Sequence, residues 1–214
     1  MKVGIVGLGF RLGYLGYVFR TIDSSFDIVG YVDPEPAGLR DLSEKGISAG
    51  KSYDTLANLL ASETLDLLMI GSPNHMHLDH IREGLEAGLK VFCEKPIVTT
   101  IAESLELARL MTKFGHERLM VGLVLRYSPL YKDLRDIQAA GTLGNIVSIE
   151  AAEHIEPYHG GFFMRDWRRC WRNAATTWTS TMAWSGRDPS GLQASAGARA
   201  SFPPTIQRGK GSTI

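Results

Sequence analysis

Lys95 lies in the segment VFCEKPIVTT, at the end of an apolar run and just ahead of a segment that reads as a helix. A lysine at such a place has three possible uses: a solvated charge, a contact to a phosphate, or a proton-transfer group whose ammonium deprotonates more easily because it is partly buried. Its neighbours Glu94 and Pro96 do not decide among these uses. The choice depends on the other residues of the chain that can do chemistry.

A pair of glycines near the N-terminus indicates a phosphate-binding turn. Gly7-x-Gly9 follows a β-like run and opens a helix, where glycine permits a tight turn and lets backbone N–H groups approach a pyrophosphate. The third glycine of the dinucleotide-binding pattern is replaced by Leu12, and Gly13 follows it. We therefore expect the close packing of helix on sheet to be arranged slightly differently here.

Asp33 ends the next strand-like run and strengthens the dinucleotide interpretation. A carboxylate at this position accepts hydrogen bonds from a ribose 2′-OH and repels a 2′-phosphate. The sequence therefore predicts NAD as the cofactor, with NADP disfavoured. The alternative is that Asp33 is only a turn residue before Pro34.

Three histidines, His75, His77 and His80, occur within GSPNHMHLDH and raise the question of a zinc site. No accompanying Cys or Glu has the spacing of zinc ligands, so we expect no metal. The loop follows a strand that ends at the predicted cofactor edge. Asn74 and His77 are therefore predicted to make polar contacts to ribose or nicotinamide.

These residues need a sheet to bring them together, and the first 122 residues predict one. Short apolar runs alternate with helix-length segments, which is the βαβ pattern of an α/β fold with a doubly wound parallel sheet. The predicted strands lie in KVGIVG, FDIVGYVD, LDLLMIGSP, KVFCEKP and RLMVGLVL. Because parallel strands end at one edge, Gly7, Asp33, Ser72 and Lys95 are expected to meet there.

The helix after Lys95 has a clear start signal. Thr100 with Glu103 three residues later forms a capping box, and Ile101, Leu105 and Ala108 lie along one face. Further on, YSPLYKDLRDIQAAGTLG predicts another helix ended by glycine, and NIVSIEAAEHI predicts a strand that opens a second sheet.

Composition excludes several classes of protein. The chain has 214 residues, 44% hydrophobic and 21% charged, with no apolar run near the roughly 20 residues that a membrane helix requires. Two cysteines give no disulfide framework, and Cys93 is read as a buried strand residue. The formal net charge of zero gives no electrostatic reason for a nucleic-acid or membrane partner. We expect a cytoplasmic protein.

Gly7-x-Gly9, Asp33, SPNHMH, EKP and LRYSP, in this order, resemble the glucose-fructose oxidoreductase and inositol dehydrogenase family, often called Gfo/Idh/MocA. The resemblance covers Met1 to about Arg169. It implies a Rossmann domain for NAD(P) at residues 1–122 and the start of an incomplete α/β substrate and oligomerisation domain at 123–169. It also implies hydride transfer between a nicotinamide cofactor and a hydroxyl or carbonyl of a sugar or cyclitol, in a full-length protein that forms a homo-oligomer.

The resemblance makes Lys95 the catalytic residue, because the oxygen next to the hydride-transferring carbon must lose or gain a proton. The predicted cofactor-binding residues are Gly7, Leu8, Gly9, Phe10, Arg11, Leu12, Asp33, Ser72, Pro73, Asn74, His77, Glu94, Lys95 and Arg126. His154 and His159 either face a substrate or are ordinary surface residues.

Residues 170–214 break the pattern. They contain a single acidic residue, Asp188, and no sustained apolar period, so we expect them to be disordered. The family pattern would place an acidic residue and a histidine four apart on a helix here. A reverse translation from Cys170, read in another frame with free wobble choices, gives LEKCCHDLDLYNGLV, which contains that pair. We infer a shift of reading frame near residue 170; the alternative is a natural low-complexity tail.

The expected consequence is a chain that binds the dinucleotide but is inactive or impaired. A rival interpretation is a non-catalytic dinucleotide-binding sensor or regulator. A third idea, a nucleic-acid stacking tail built on Trp171, Trp178 and Trp184, is weaker because the basic charge is sparse.

Overall fold

The computed structural model describes residues 1–147. The strand predicted at Asn145 to Ile155 extends beyond this range, and His154, His159 and the segment after about residue 169 lie outside it. The fold and site described below concern the first 147 residues.

A single parallel sheet of six strands organises the described chain, in the order β3-β2-β1-β4-β5-β6. The strands are β1 (Lys2–Val6), β2 (Asp27–Val32), β3 (Lys51–Ser52), β4 (Leu67–Ile70), β5 (Lys90–Cys93) and β6 (Leu119–Val121). This is the doubly wound order of a Rossmann domain, which confirms the predicted fold class. β3 was not predicted, because its two exposed residues at the sheet edge carry no apolar pattern.

The helices of this region are α1 (Phe10–Ile22), α2 (Leu39–Glu44), α3 (Leu56–Ser62), α4 (His77–Glu86), α5 (Ile101–Phe114) and α6 (Pro129–Ala139). Short 3-10 turns span Asn74–Met76, His116–Arg118 and Val124–Tyr127. Predicted α6 is confirmed: Ser128 caps its start, accepting a hydrogen bond from the N–H of Tyr131, and Gly141 follows it at a φ of 73°.

Two apolar clusters cover the two faces of the sheet, and the strands contribute to both by alternation. Leu68 and Ile70 of β4 pack with α3, α4 and α5, whereas Met69 packs with α1 and α2 on the other face. Each of these three side chains is fully buried, which stabilises the fold by about 1.5–3 kcal/mol per side chain. The apolar run in β4 therefore reflects burial on both sides.

The start of α5 confirms the predicted capping box, and its packing shows which face of the helix is buried. Thr100 accepts a hydrogen bond from the Glu103 N–H, and the Glu103 side chain returns to the backbone of Thr100, so the capping box is present. The face marked by Ile101 and Leu105 is not buried, however, since these side chains are 82% and 58% exposed. The sheet is contacted by the neighbouring face that carries Leu107, Leu110, Met111 and Phe114.

Spanning a membrane requires a long apolar helix, and none of the helices in residues 1–147 has the necessary length and character.

Candidate active site

The carboxyl ends of four strands meet at one edge of the sheet, as predicted. Backbone hydrogen bonds continue past the strand ends and hold the following loops in register. The N–H groups of Gly7, Gly71 and Glu94 donate to the carbonyl oxygens of Val32, Val6 and Ile70, respectively, at 2.8–2.9 Å. Gly7, Asp33, Ser72 and Lys95 therefore follow β1, β2, β4 and β5 on the same side. This edge is where ligands bind in open α/β sheets.

Gly7 and Gly9 have different structural reasons to be glycine. Gly7 has a φ of 82°, and a Cβ there would lie 2.3 Å from the backbone nitrogen of Ser72. A Cβ at Gly9, the N-cap of α1, would meet no heavy atom within 4 Å. Gly9 thus borders open space at a helix N-terminus, where the N–H groups of Phe10 and Arg11 have no carbonyl partner within the helix. The geometry fits a pyrophosphate.

The departure from the three-glycine pattern is compensated at two places. A Cβ on Gly71 would lie 2.7 Å from Cδ1 of Leu12, so the leucine side chain fits because β4 is followed by a glycine. A Cβ on Gly13 would lie 2.8 Å from the Cα of Gly38. Because neither residue has a side chain, α1 can lie close to the start of α2. The side chains of Leu8 and Leu12 are buried in the core. These two predicted cofactor residues therefore offer only backbone atoms to a ligand.

Beside Gly7 lies a cavity of about 710 Å³ with an acidic lining. The carboxylates of Asp33, Glu35, Asp54 and Glu83 line it, and its described lining includes no Lys or Arg. Asp33 accepts the N–H of Glu35 through one oxygen at 2.8 Å, so it does form the local turn that was the alternative interpretation. That bond uses one lone pair of four, so the carboxylate keeps capacity for ribose hydroxyls. The negative charge of this lining would repel the 2′-phosphate of NADP.

Arg11 and Glu94, both predicted as cofactor contacts, bind each other. The Arg11 Nε donates to Oε1 of Glu94 at 2.9 Å, with the two side chains 45% and 11% exposed. The backbone N–H of Lys95 donates to the other oxygen of Glu94 at 3.3 Å. A Cβ on Gly122 would lie 3.1 Å from Glu94 Oε1, so the carboxylate packs against a glycine at the end of β6. Glu94 thereby holds the Arg11 guanidinium beside the N-terminus of α1.

The predicted contact of His77 with ribose or nicotinamide does not fit the structure and is corrected. The side chain is 1% exposed, and its Nδ1 and Nε2 lie 2.8 Å from the Pro96 carbonyl oxygen and 2.9 Å from that of Ser72. Burial lowers the pKa of His77, although the two carbonyls act in the opposite direction. No pattern in the sequence distinguishes a buried histidine of this kind from one that faces a ligand.

Ser72 is held by a second histidine as well. Its Oγ lies 3.0 Å from Nδ1 of His80, which is buried, and burial lowers the pKa of His80. His80 also lines the acidic cavity, together with Ser72 and Pro73. His80 was not among the predicted cofactor-binding residues. Its position in the first turn of α4, close to the predicted loop, could have indicated that it lies at the site.

Asn74 contributes a buried donor without a partner in the described structure. The residue is 8% exposed, and its Nδ2 makes no hydrogen bond. An unsatisfied buried donor costs about 1–3 kcal/mol, and a ligand oxygen that accepts from it would recover this free energy.

Phe10 and Arg126 are exposed at the start of α1 and on the turn after β6, and their cofactor contacts stay predictions.

Together, the doubly wound parallel sheet, the glycine turn and the helix N-terminus that borders open space define a Rossmann domain of the dinucleotide-binding type, with Asp33 and Lys95 at the same sheet edge. The chain belongs to the Gfo/Idh/MocA oxidoreductase family with an NAD-binding Rossmann fold, whose family model matches residues 1–123. The resemblance read from the motifs is confirmed.

Individual relatives agree with this assignment. The rhizopine catabolism protein MocA of Rhizobium meliloti is 29% identical over 155 residues, covering 72% of this chain and 47% of its own length. An inositol 2-dehydrogenase of Corynebacterium glutamicum is 26% identical over 162 residues, covering 75% of this chain and 47% of its own. The chain thus spans about half the length of the curated relatives it matches.

Among solved structures, scyllo-inositol dehydrogenase from Lactobacillus casei with bound NAD(H) and scyllo-inositol superposes with a TM-score of 0.59. It is 26% identical, and the match covers 68% of this chain and 43% of that one.

Proposed function

We propose that this chain is the cofactor-binding half of an NAD-dependent oxidoreductase that acts on a hydroxyl or carbonyl of a sugar or cyclitol, with Lys95 as the proton-transfer residue. The observation that carries the proposal is the sheet edge where Gly9 borders open space, an acidic cavity lies beside Gly7, and Lys95 follows β5. The relatives that act on inositol suggest the substrate class.

The residues fit the cofactor. The backbone at Gly9, Phe10 and Arg11 would hold the pyrophosphate, and Asp33 would hold the ribose of the adenosine half. Bound NAD+ supplies a hydride acceptor, and bound NADH supplies a hydride donor. The absence of Lys and Arg from the described lining of the cavity supports NAD over NADP.

Lys95 is suited to move a proton because it is half-buried and follows β5 at the sheet edge where the cofactor would bind. When an alcohol is oxidised, its hydroxyl proton must leave as the carbon loses hydride, and a neutral Nζ can accept it; in the reverse direction the ammonium returns it. Glu94 accepts the backbone N–H of Lys95 and so limits how this residue can move. Metal assistance is not required by this scheme.

The remaining parts of the proposal concern the whole protein. The substrate wall would come from residues beyond 147, and the protein would be a cytoplasmic homo-oligomer. The frame shift near residue 170 belongs to the same proposal, because it would remove the acidic residue and the histidine that share the proton of Lys95 in the family pattern. A dinucleotide-binding sensor without turnover is the rival.

The test compares the 214-residue chain with a version in which the alternative frame is restored after about residue 169. We expect both to bind NAD(H) and only the restored version to form NADH with a panel of sugars and inositols. In the restored version, Lys95→Ala should lower turnover by about two to four powers of ten with little change in NAD affinity.

Lys90→Ala is the matched control, since Lys90 is exposed at the other end of the same strand. Turnover of Lys95→Ala within a few-fold of the parent would make the lysine structural. NAD binding without turnover by every version would favour the sensor.

A further inference from the structure

His77 is a deeply buried titratable side chain next to the crevice, and the proton-transfer scheme does not use it. It begins α4, immediately after the 3-10 turn Asn74–Met76, yet its ring reaches the loop that follows β5. The contact with Pro96 spans 19 residues of sequence, and that with Ser72 spans five. The imidazole therefore bridges two strand-end loops that the sequence separates.

The loop after β4, with Ser72, and the loop after β5, with Pro96, contribute to different parts of the proposed site. Ser72 and Pro73 line the acidic cavity, so the first loop belongs to the cofactor side. Pro96 directly follows Lys95, so fixing its carbonyl fixes the backbone from which the lysine side chain extends. The ring nitrogens lie 2.8 and 2.9 Å from the two carbonyl oxygens, which are hydrogen-bond distances.

We propose that His77 is a positioning residue, which sets the place of Lys95 relative to the cofactor crevice by holding the Pro96 carbonyl against the Ser72 loop. This inference rests on the proposed function of Lys95. A histidine suits the task because its rigid ring has nitrogens on opposite sides, spaced to face two backbone carbonyls at once. A flexible amide can reproduce one or both contacts with less precision, and an apolar side chain can reproduce neither.

Hydrogen-bond chemistry narrows the arrangement. A neutral imidazole carries one N–H and can donate to only one of the two carbonyls, whereas the imidazolium can donate to both. For a neutral His77 to hold the Pro96 carbonyl, its single N–H must lie on Nδ1. His80 holds the Ser72 hydroxyl from the other side, so the Ser72 loop has a second anchor that does not reach Pro96.

The experiment follows the ammonium of Lys95 itself, in the full 214-residue chain. Lysines are dimethylated with a carbon-13 reagent, the Lys95 signal is assigned by its loss in Lys95→Arg, and its pKa is measured by NMR with and without NAD+. The cationic nicotinamide ring should lower the pKa of a nearby ammonium. The variants are His77→Leu and His77→Gln, with His75→Leu as the matched control because His75 lies exposed in the same turn.

We expect NAD+ to bind His77→Leu within about threefold of the parent affinity while the response of Lys95 to NAD+ is largely lost. His77→Gln should restore at least part of that response, and His75→Leu should keep all of it. An unchanged response in His77→Leu, or an equal loss in His75→Leu, would overturn the proposal. Failure of NAD+ to bind the parent chain would instead refute the proposed function.

A measurement on the unmutated chain covers the case in which His77→Leu does not fold. Nitrogen-15 labelling of histidine with carbon-13 labelling of proline should reveal scalar coupling across the hydrogen bond from the His77 ring to the Pro96 carbonyl. Its presence, with the response retained in His77→Gln, supports the positioning role. An Nδ1 without a proton, or without coupling to Pro96, contradicts it whether or not NAD+ binds.

Discussion

At the residue scale, the candidate site depends on two glycines that need to lack a side chain for different reasons. Gly7 and Gly9 belong to one motif, yet their surroundings are opposite. At Gly7 both the left-handed φ and a 2.3 Å approach to Ser72 exclude a side chain, whereas at Gly9 the space is free. The same substitution at these two positions therefore separates folding from cofactor binding.

We expect Gly9→Ala to keep the melting temperature of the parent and to weaken NAD(H) binding by about tenfold or more, because its methyl group occupies the space of the pyrophosphate. Gly7→Ala should lower the free energy of unfolding by about 1–3 kcal/mol or more through backbone strain and collision with Ser72. Thermal unfolding measures the effect on stability, and calorimetric titration measures the effect on NAD(H) binding. Strong NAD binding by Gly9→Ala would show that the phosphate does not lie at this helix end.

His77 and His80 make the stability of the chain depend on pH. Burial is the main cause that lowers the pKa of both in the folded state. The Pro96 and Ser72 carbonyls and Glu94 oppose the shift of His77, and His75 adds to it. Asp79 opposes the shift of His80, and His77 adds to it. Between the lowered folded values and about 6.5, the unfolded chain binds more protons. The free energy of unfolding should therefore be constant above about pH 6.5 and fall as the pH decreases below it.

Urea titrations at a series of pH values measure this dependence. His77→Gln should flatten the pH profile, whereas His75→Gln, which alters an exposed ring, should leave it nearly parallel to that of the parent. A stability that rises on acidification would mean that His77 is already an imidazolium in the folded chain.

At the element scale, α5 shows that a helix recognised from its start signal does not bury every apolar face that its sequence offers. Leu110 is 6% exposed and Leu105 is 58% exposed, although both are leucines of the same helix. Leu110→Ala should therefore lower the free energy of unfolding by about 2–5 kcal/mol, and Leu105→Ala by about 0.5 kcal/mol or less. Similar losses in the two variants, measured by chemical denaturation, would show that the exposed face of α5 is covered in solution.

The elements that the sequence predicts are those whose signal is local. The capping box at Thr100 and the five apolar strand runs each depend on neighbouring residues, and the structure confirms them. The two exposed residues of β3 have no such signal. The pairs Leu12–Gly71, Arg11–Glu94 and His77–Pro96 depend on loops brought together by the sheet, and a single sequence contains no pattern for them.

At the scale of the whole molecule, the predicted cofactor crevice is built from strand ends within one sheet. Its phosphate-binding turn, acidic cavity and lysine all lie within the first 95 residues of the chain. Under the proposed function, cofactor binding needs only this sheet, whereas substrate turnover also needs residues that bind the substrate.

The central claim is that this sheet edge is an NAD site, and calorimetric titration of the 214-residue chain with NAD+ and NADP+ tests it most directly. We predict that NAD+ binds at least about tenfold more tightly, since a 2′-phosphate would face the carboxylate of Asp33. Asp33→Asn should narrow this difference, and Asp79→Asn, which removes an exposed carboxylate outside the cavity lining, should not. Equal or reversed affinities, or no binding of either dinucleotide, would contradict the account.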